Sequence, residues 1–557
     1  MKNSHEKQNF QNTIICLSIF SALFFAFIST LILRYGHLHE DAYILYIYSE
    51  NLAATNVVSY YSGGPPTEGA TDFLWMVLIA IFNFFGVPSG VASATLNTIG
   101  VFFVTLIISK CATRGTTNWA VVLFIALFVP VSSVGQAAFM GFSTAFYSAL
   151  IATMMYIGMF GRGRSILLIP ILGLVLALVR PDGAVIGGLT TTLLYFVIGR
   201  EIRLSYFLLT LGCAAVGIAY FLWRWSYFGE FLPLPLIVKS SADTRFPGLW
   251  TNRQWLMSMT PLVVVALYSL FVIPKKYKKI FAVSIPILTY FLLLTFTTQS
   301  QNVGYRFQAP VLVLLLFAAA ITFSSADLSK VFRFRWGQPI LPLLKPVVLL
   351  GLVIAIGNIS VHSATKSLRL AENSIEGQYI DVFPYYLSSY LDDTSKIALT
   401  EAGRLAYWTP GMKYDLVGLN TAETAVNGAS VDYLEGLDAD LIMVHQAGML
   451  SSIECEVAQM FCRIGQDEFT NAFNNGKAAT ALSVENRVRR APSIVAQFLV
   501  DNFEKYAIYA VSYNGLYSHI YAINLSGNLE TGDFETALNR SFDPDGQLSY
   551  LEIVAER

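Results

Sequence analysis

The sequence predicts a polytopic α-helical membrane protein that carries a C-terminal α/β domain outside the membrane. Hydrophobic residues make up 55% of the 557 residues and charged residues only 13%, a composition typical of proteins with many membrane spans. Long apolar stretches recur through roughly the first two thirds of the chain. Charged residues, Gly, Asn and Asp return after about residue 364. The formal net charge of −1 indicates no bulk attraction to nucleic acid.

The apolar stretches reach the roughly 20 residues that a helix needs to cross a bilayer. By this criterion we predict about eleven spans, at residues 13–33, 90–109, 118–134, 142–160, 164–180, 183–199, 204–223, 256–273, 279–297, 307–324 and 341–361. The first stretch is too long, and its basic flank too weak, for a cleavable signal peptide. We therefore expect it to stay in the protein as a membrane anchor.

The basic residues between the spans predict their orientation. Lys and Arg cluster at residues 110–114, 162–164, 200–203, 275–279 and 330–335. Cytoplasmic loops are enriched in such residues, so we expect a cytoplasmic N-terminus and a C-terminal domain on the other side. Residues 73–86 are apolar but too short to span. We predict that they form an interfacial helix on the outer leaflet, with Trp75 at headgroup depth, inside a first outer loop of residues 34–89.

The change of composition divides the chain into a membrane domain, residues 1–363, and an extracytoplasmic α/β domain, residues 364–557. Short apolar segments predict buried strands in the second domain, at KIALT (396–400), ADLIMVH (439–445) and YSHIYAINL (517–525). This domain also contains Cys455 and Cys462. In an oxidising compartment the two cysteines can close a short loop as a disulfide, and the alternative is two unpaired thiols.

The first outer loop concentrates polar side chains at the membrane edge, where a carboxylate is costly unless it has a partner or a function. These side chains are His37, His39, Glu40, Asp41, Glu68 and Asp72. In EDAYILYIYSENLAA, the apolar spacing predicts a helix with Asp41 in its first turn. Backbone N–H groups and the helix dipole favour the ionised carboxylate there, which can take a proton from a hydroxyl group. The alternative is that Asp41 only caps the helix.

Glu68 and three isolated cations are further candidates. Glu68 lies in PPTEGATDFLW, a loop that returns to the membrane surface, where it either binds a ligand or metal near Asp41 or is simply solvated. Arg180, Lys239 and Arg306 fall singly on the predicted outer side. Lone cations at span ends often only anchor the span at the interface. Three cations converging on one cavity would instead bind a phosphate group.

Motifs for several other chemistries are missing from the sequence. It contains no P-loop, no G-x-G-x-x-G before a helix, no H-E-x-x-H and no C-x-x-C, so nucleotide chemistry and the common zinc motifs are not supported. The rival functional class is a non-enzymatic lipid or polysaccharide transporter, or an assembly scaffold, with a glycan-binding outer domain. A transporter predicts essential acids within the spans, and the predicted spans are nearly free of acids.

Several motifs follow one another in the order found in a known family. They are HEDAY (39–43), EGATDFLW (68–75), LVRPDG (178–183), YFGEFLPLPLIVK (227–239), YRFQAP (305–310) and IALTEAGRLAYWTPGMKYDLVGLN (397–420). Together they resemble the GT-C fold polyprenyl-phosphate-sugar-dependent membrane glycosyltransferases, over nearly the whole chain. The branch is similar to the one that includes the terminal arabinofuranosyltransferase of mycobacterial cell walls.

This resemblance implies a GT-C membrane fold in a bacterial inner (cytoplasmic) membrane. It implies transfer of a single sugar, by preference D-arabinofuranose, from a polyprenyl-phosphate donor to a cell-envelope glycan or protein acceptor. Asp41 is then the expected base, with Glu40 and Glu68 supporting the acceptor or an optional divalent cation. The donor phosphate is expected to bind the three isolated cations, Arg180, Lys239 and Arg306.

The remaining motif residues are expected to support this site, and these are His39, Tyr43 and Tyr305. The chain also departs from the family pattern. Glu40 stands where the family usually has Asp, GFST (141–144) lacks a Glu of the family, and Leu234 replaces an Asn. Whether position 40 takes part in chemistry or only supports its neighbour is open from the sequence.

Overall fold

The structure of the protein is a computed structural model that describes residues 2–113, 119–239, 246–272, 278–299, 301–325, 341–445, 453, 460–476, 487–513 and 516–557. Helices dominate the described chain up to Ile375. They are α1 (Lys2–Tyr35), α2 (Glu40–Thr55), α3 (Phe73–Phe84), α4 (Ser89–Ala112), α5 (Trp119–Val131), α6 (Ser133–Phe139), α7 (Thr144–Phe160), α8 (Leu168–Val179), α9 (Gly183–Tyr195), α10 (Arg200–Phe228), α11 (Leu234–Lys239), α12 (Leu249–Ser258), α13 (Thr260–Val272), α14 (Lys278–Leu293), α15 (Ala309–Ser325) and α16 (Leu341–Ile375).

Six helices among the described residues are long and apolar enough to cross a bilayer, and they identify a multi-pass membrane protein. These helices are Phe10–Tyr35, Ser89–Ala112, Trp119–Phe139, Arg200–Phe228, Lys278–Phe296 and Val303–Thr322. Shorter apolar helices lie at Phe73–Phe84, Thr144–Phe160, Gly163–Val179, Gly183–Tyr195 and Thr260–Ser269. Helices suit lipid because they satisfy their backbone hydrogen bonds internally. The total of about eleven spans stays a prediction.

The predicted interfacial segment forms the helix α3. Its Trp75 is fully buried and packs beside the ring of Phe146 on α7, with 5.8 Å between ring centroids. Trp75 therefore contacts protein rather than lipid, and its depth relative to the headgroups stays a prediction. The exposed aromatic rings lie at the far end of the helix, where Phe84 and Phe85 expose 73% and 75% of their surface.

Beyond Ile375 the described chain forms a six-stranded mixed sheet with the strand order β2-β1-β3-β6-β5-β4. The strands are β1 (Lys396–Leu399), β2 (Met412–Asp415), β3 (Leu441–His445), β4 (Phe461–Arg463), β5 (Tyr506–Tyr513) and β6 (Leu516–Asn524). Strand β1 runs parallel to β2 and β3, and the other pairs are antiparallel. The three strands predicted from the sequence are confirmed as β1, β3 and β6.

Helices cover this sheet and complete the α/β domain, which we call the outer domain after the side of the membrane that the sequence predicts for it. They are α17 (Tyr379–Ser388), α18 (Arg404–Trp408), α19 (Ala422–Asn427), α20 (Val431–Leu437), α21 (Gln466–Asn475), α22 (Arg487–Asp501), α23 (Thr531–Phe542) and α24 (Tyr550–Glu556). Helix α16 continues without a break from before residue 363 to Ile375. The predicted domain boundary therefore falls inside a helix, and the sheet domain begins after it.

The two faces of the sheet belong to different hydrophobic cores because side chains alternate along a strand. Met443 and Tyr521 belong to a large core that is continuous with the membrane helices. Val444 and Ala522 face a second core that contains Phe469 of α21 and other apolar side chains of the outer domain. One face of the sheet thus packs toward the membrane part of the protein, and this packing brings the outer domain close to α2.

Candidate active site

Asp41 lies in the first turn of α2, as the sequence predicts. His39 caps this helix, and its Nδ1 accepts a hydrogen bond from the backbone N–H of Asp41 at 3.2 Å. Burial lowers the pKa of His39 to about 4, so the ring is neutral at pH 7 and has a free lone pair for this bond. The cap fixes the direction in which the helix starts and therefore the place of the Asp41 carboxylate.

Arg306 is the cationic partner of Asp41. Its Nη2 lies 3.6 Å from the Asp41 Oδ2, and both side chains are mostly buried, with 12% and 15% exposed. The guanidinium also lies 3.9 Å from the centroid of the Phe142 ring. Gly304 and Tyr305 just before it have left-handed backbones, with φ of 59° and 57°. Such a conformation is unfavourable for Tyr, and here it forms the turn that precedes Arg306.

Arg180 lies in the same region as Arg306. Their guanidinium carbons lie 5.5 and 5.1 Å from the centroid of one ring, Phe307. Arg180 also makes a bidentate ion pair with Asp182, at 2.9 and 3.1 Å. The structure thus brings two of the three predicted cations together. Lys239 is the last residue of α11, and its side chain lies outside the described residues.

Three further residues of this region were missed or given no role in the sequence analysis. Asp72 accepts a hydrogen bond from Ser143 at 2.9 Å and has Arg180 and Arg306 as electrostatic neighbours. Asp182 was noted only as part of a motif. Lys366 of α16 places its ammonium 3.9 Å from the centroid of the Tyr305 ring. A Lys in a long helix carried no sequence signal for this placement.

Glu40 is a buried contact between α2 and the outer domain. Its Oε1 accepts the backbone N–H groups of Gly403 and Arg404 at 2.6 and 2.9 Å. The Arg404 guanidinium lies 3.8 Å from the other oxygen and also pairs with Asp381 at 2.9 Å. Burial and the neighbouring Glu401 raise the pKa of Glu40. This geometry favours a supporting role for Glu40, which the sequence left open.

We expect Glu40→Ala to lower the stability of the purified protein more than Glu40→Gln. The Gln amide oxygen can still accept the N–H groups of Gly403 and Arg404, whereas Ala leaves two buried donors unpaired, at a cost of about 1–3 kcal/mol each. Thermal unfolding in detergent, followed by tryptophan fluorescence, measures the difference. Equal losses in the two variants would show that the carboxylate charge, rather than the backbone hydrogen bonds, stabilises this contact.

Glu68 pairs with Arg224 of α10. The Arg224 Nε lies 2.7 and 2.6 Å from the two carboxylate oxygens, and both side chains are almost completely buried. Arg224 also donates to the carbonyl groups of Phe231 and Glu230 at 2.8 and 3.1 Å. Since both Glu68 oxygens contact Arg224, Glu68 joins the outer loop to α10 in this structure. Its role with an acceptor or a metal stays a prediction.

Tyr43 is fully buried in a group of aromatic rings that joins α2 to α18. Its ring centroid lies 5.9 Å from that of Tyr46, 5.0 Å from Tyr407 and 6.0 Å from Trp408. Such tilted aromatic packing stabilises the contact between the helices. Tyr43 therefore supports the position of α2 through packing.

The predicted cysteine pair is described only in part. Cys462 lies on β4 and is disulfide-bonded. Cys455 lies outside the described residues, so its pairing stays a prediction.

The architecture is similar to that of a solved membrane protein. The crystal structure of ArnT from Cupriavidus metallidurans bound to undecaprenyl phosphate matches 93% of this chain and 99% of its own, with a TM-score of 0.58 and 12% sequence identity. Its apo structure has the same TM-score and identity and covers 93% of this chain. The chain has the GT-C fold. At this identity the likeness shows the fold alone.

Other known proteins and families match this chain more weakly or over a smaller part of it. The archaeal oligosaccharyltransferase AglB from Archaeoglobus fulgidus matches 79% of the chain with a TM-score of 0.45 and 12% identity, too low to support a conclusion. A family model described as a domain of unknown function (DUF8728) matches residues 371–509, most of the outer domain up to β5. No curated protein matches the chain in sequence. The arabinofuranosyltransferase branch stays a prediction.

Proposed function

We propose that the protein is a membrane glycosyltransferase that moves a single sugar from a polyprenyl-phosphate donor to an extracytoplasmic acceptor. The observation that carries this proposal is the 3.6 Å contact between Asp41 and Arg306 in a GT-C fold. Glycosyl transfer with a phosphate leaving group needs a base for the attacking hydroxyl and a cation for the departing phosphate. The two groups act on oxygens bonded to the same anomeric carbon, so they must belong to one site, and the Asp41–Arg306 contact supports this.

In this mechanism Asp41 takes the proton of the acceptor hydroxyl. The hydroxyl oxygen forms a new bond to the anomeric carbon, and the bond from that carbon to the phosphate oxygen breaks. The electron pair leaves with the polyprenyl phosphate, and the proton stays on Asp41. The His39 cap holds the base at the start of α2, which limits the geometries it can take.

Arg306 and Arg180 bind the phosphate in this mechanism, because guanidinium groups match phosphate oxygens in a bidentate geometry. Arg180 is held by Asp182, so it is oriented before the donor arrives. Lys239, by the resemblance described above, is the third phosphate ligand. ArnT, of the same fold, is known with undecaprenyl phosphate bound, which supports a polyprenyl carrier.

The finer parts of the proposal rest on the sequence motifs and the charge pattern. Among possible donor sugars we favour D-arabinofuranose. The proposed acceptor is a cell-envelope glycan or protein that the outer domain positions. The basic clusters between the spans favour a cytoplasmic N-terminus and an outer domain on the opposite side of a bacterial inner membrane.

Transfer from a panel of polyprenyl-phosphate sugars by the purified protein tests this function. We expect turnover with one donor, measured as released polyprenyl phosphate and as glycosylated acceptor. In Arg306→Gln, donor affinity should fall by about 10- to 100-fold, because one charge-assisted hydrogen bond contributes roughly 1.5–3 kcal/mol. Arg253→Gln is the matched control, since Arg253 is an exposed cation on α12.

The two variants also define the result that would contradict the proposal. Equal loss of donor affinity in Arg306→Gln and Arg253→Gln would show general charge attraction rather than a phosphate site. Donor binding without turnover for every sugar and acceptor would favour a lipid carrier over an enzyme.

A further inference from the structure

The outer domain contains a second group of titratable side chains, separate from Asp41, Arg180 and Arg306. His445 Nδ1 lies 3.2 Å from Glu401 Oε2, and His519 Nε2 lies 3.8 Å from the same oxygen. One ligand atom from each residue lies within 4.8 Å of the others. His519 is fully buried, and the side chains of Glu401 and His445 are about 20% and 29% exposed. The three residues form a small, partly exposed cluster.

The sheet holds these three side chains in place. His445 on β3 and His519 on β6 are direct partners in the antiparallel register, with ring centroids 4.4 Å apart. Glu401 follows the end of β1, beside β3. The Thr400 hydroxyl accepts the backbone N–H of His445 at 2.8 Å, which ties the end of β1 to the end of β3. A site built on paired strands keeps its geometry better than a site on free loops.

The spacing of the ligand atoms suits a tetrahedral metal ion. Nitrogen and oxygen ligands bind zinc at about 2.0–2.2 Å, which places two ligand atoms of a tetrahedron about 3.3–3.6 Å apart. The distances of 3.2 and 3.8 Å to the Glu401 oxygen bracket this value. Two His nitrogens and one carboxylate are a ligand set that zinc prefers, and three protein ligands leave a fourth position for water or another ligand. We propose that Glu401, His445 and His519 bind a zinc ion.

A hydrogen-bonded partner orients one of the ligands. The Tyr379 hydroxyl is hydrogen-bonded to His519 Nδ1. When the Tyr379 oxygen accepts the Nδ1–H of His519, the Nε2 lone pair is left facing Glu401. Metal-bound histidines usually have such a partner on their other nitrogen, and losing it lowers metal affinity about 10- to 100-fold.

The zinc ion has a structural consequence for α2. Glu401 begins a short segment that ends at Arg404. The backbone N–H groups of Gly403 and Arg404 in this segment donate to Glu40. Tyr60 of the outer loop donates to the Ala402 carbonyl at 2.7 Å. A metal bound to Glu401 would fix this segment and, through Glu40, the start of the helix that carries Asp41. The ion is therefore a clamp between the outer domain and the first outer loop, and it stands independently of the proposed transferase activity.

Zinc titration of the full-length protein tests the proposal. The protein is purified in detergent through a tag without histidines, treated with a chelator and titrated with zinc chloride by calorimetry. We expect one zinc per chain in the wild type and at least about a 100-fold weaker affinity in His445→Asn. His362→Asn, at an exposed histidine of α16, is the matched control and should bind like the wild type.

Two further measurements guard against a folding defect. Tyr379→Phe keeps all three ligands and should weaken zinc binding by about 10- to 100-fold. Zinc should raise the melting temperature of the wild type and of His362→Asn but not of His445→Asn. If the wild type binds no zinc, or if His445→Asn binds it as tightly as the wild type, the cluster is an ion pair of Glu401 and His445 without a metal, and the proposal is overturned.

Discussion

Asp41→Asn is expected to reduce sugar transfer by about 100- to 10,000-fold, the usual contribution of a positioned general base, while donor binding survives. Asn has the shape of Asp but cannot take the proton of the acceptor hydroxyl. The helix cap persists, because His39 accepts the backbone N–H of residue 41. Arg306 keeps Asp72 and Asp182 as electrostatic neighbours, so the phosphate site should remain intact. Turnover and donor affinity measured on one preparation separate the two effects.

Glu40→Gln is the matched control for this experiment, since it changes the adjacent carboxylate in the same way. Its contacts are to backbone N–H groups of the outer domain, so we expect most of the turnover to remain. Full turnover in Asp41→Asn would contradict the proposed mechanism. Loss of turnover only in Glu40→Gln would move the base to position 40.

We expect Arg224→Met to destabilise the membrane part of the protein strongly. It leaves the Glu68 carboxylate buried without its cation, and breaking such a pair typically costs about 3–5 kcal/mol. The partner carboxylate is only about 7% exposed, so water can offset little of this loss. The free energy of unfolding in mixed detergent micelles, compared with that of the wild type, measures the effect.

Two other variants show whether the ion pair itself is responsible. Arg203→Met, on the same helix, removes an arginine that donates to the Ile198 carbonyl at 3.1 Å, and it should cost much less. The double variant Glu68→Met/Arg224→Met removes both buried charges and should recover part of the stability. A double variant less stable than Arg224→Met would mean that Glu68 has another partner that contributes as much to the free energy of unfolding as Arg224.

Local features of the sequence predicted the elements that depend on short-range order. The start of α2 and the position of Asp41 in its first turn follow from a periodic apolar pattern and a polar residue before it. The strands β1, β3 and β6 follow from short β-branched and aromatic runs. Such features depend on neighbouring residues, which a single sequence shows directly.

The sequence was less informative about whether a residue contacts lipid or protein. Trp75, which lies in the predicted interfacial helix, packs inside the protein against Phe146. The apolar character of α3 was correct, but the choice between lipid and protein as its neighbour depends on the position of α7. Composition is the same for both surroundings, because lipid tails and protein interiors are equally apolar.

By itself the sequence determined that this is a multi-span membrane protein with a C-terminal α/β domain, and that Asp41 lies in the first turn of a helix. Only the tertiary structure decided which side chains meet. Arg224 and Glu68 are separated by 156 positions, and Glu401, just after β1, comes together with His445 on β3 and His519 on β6. The physical reason is that charge pairs and metal ligands interact over a few ångströms of space. Local patterns contain no record of the distances that folding sets between distant segments.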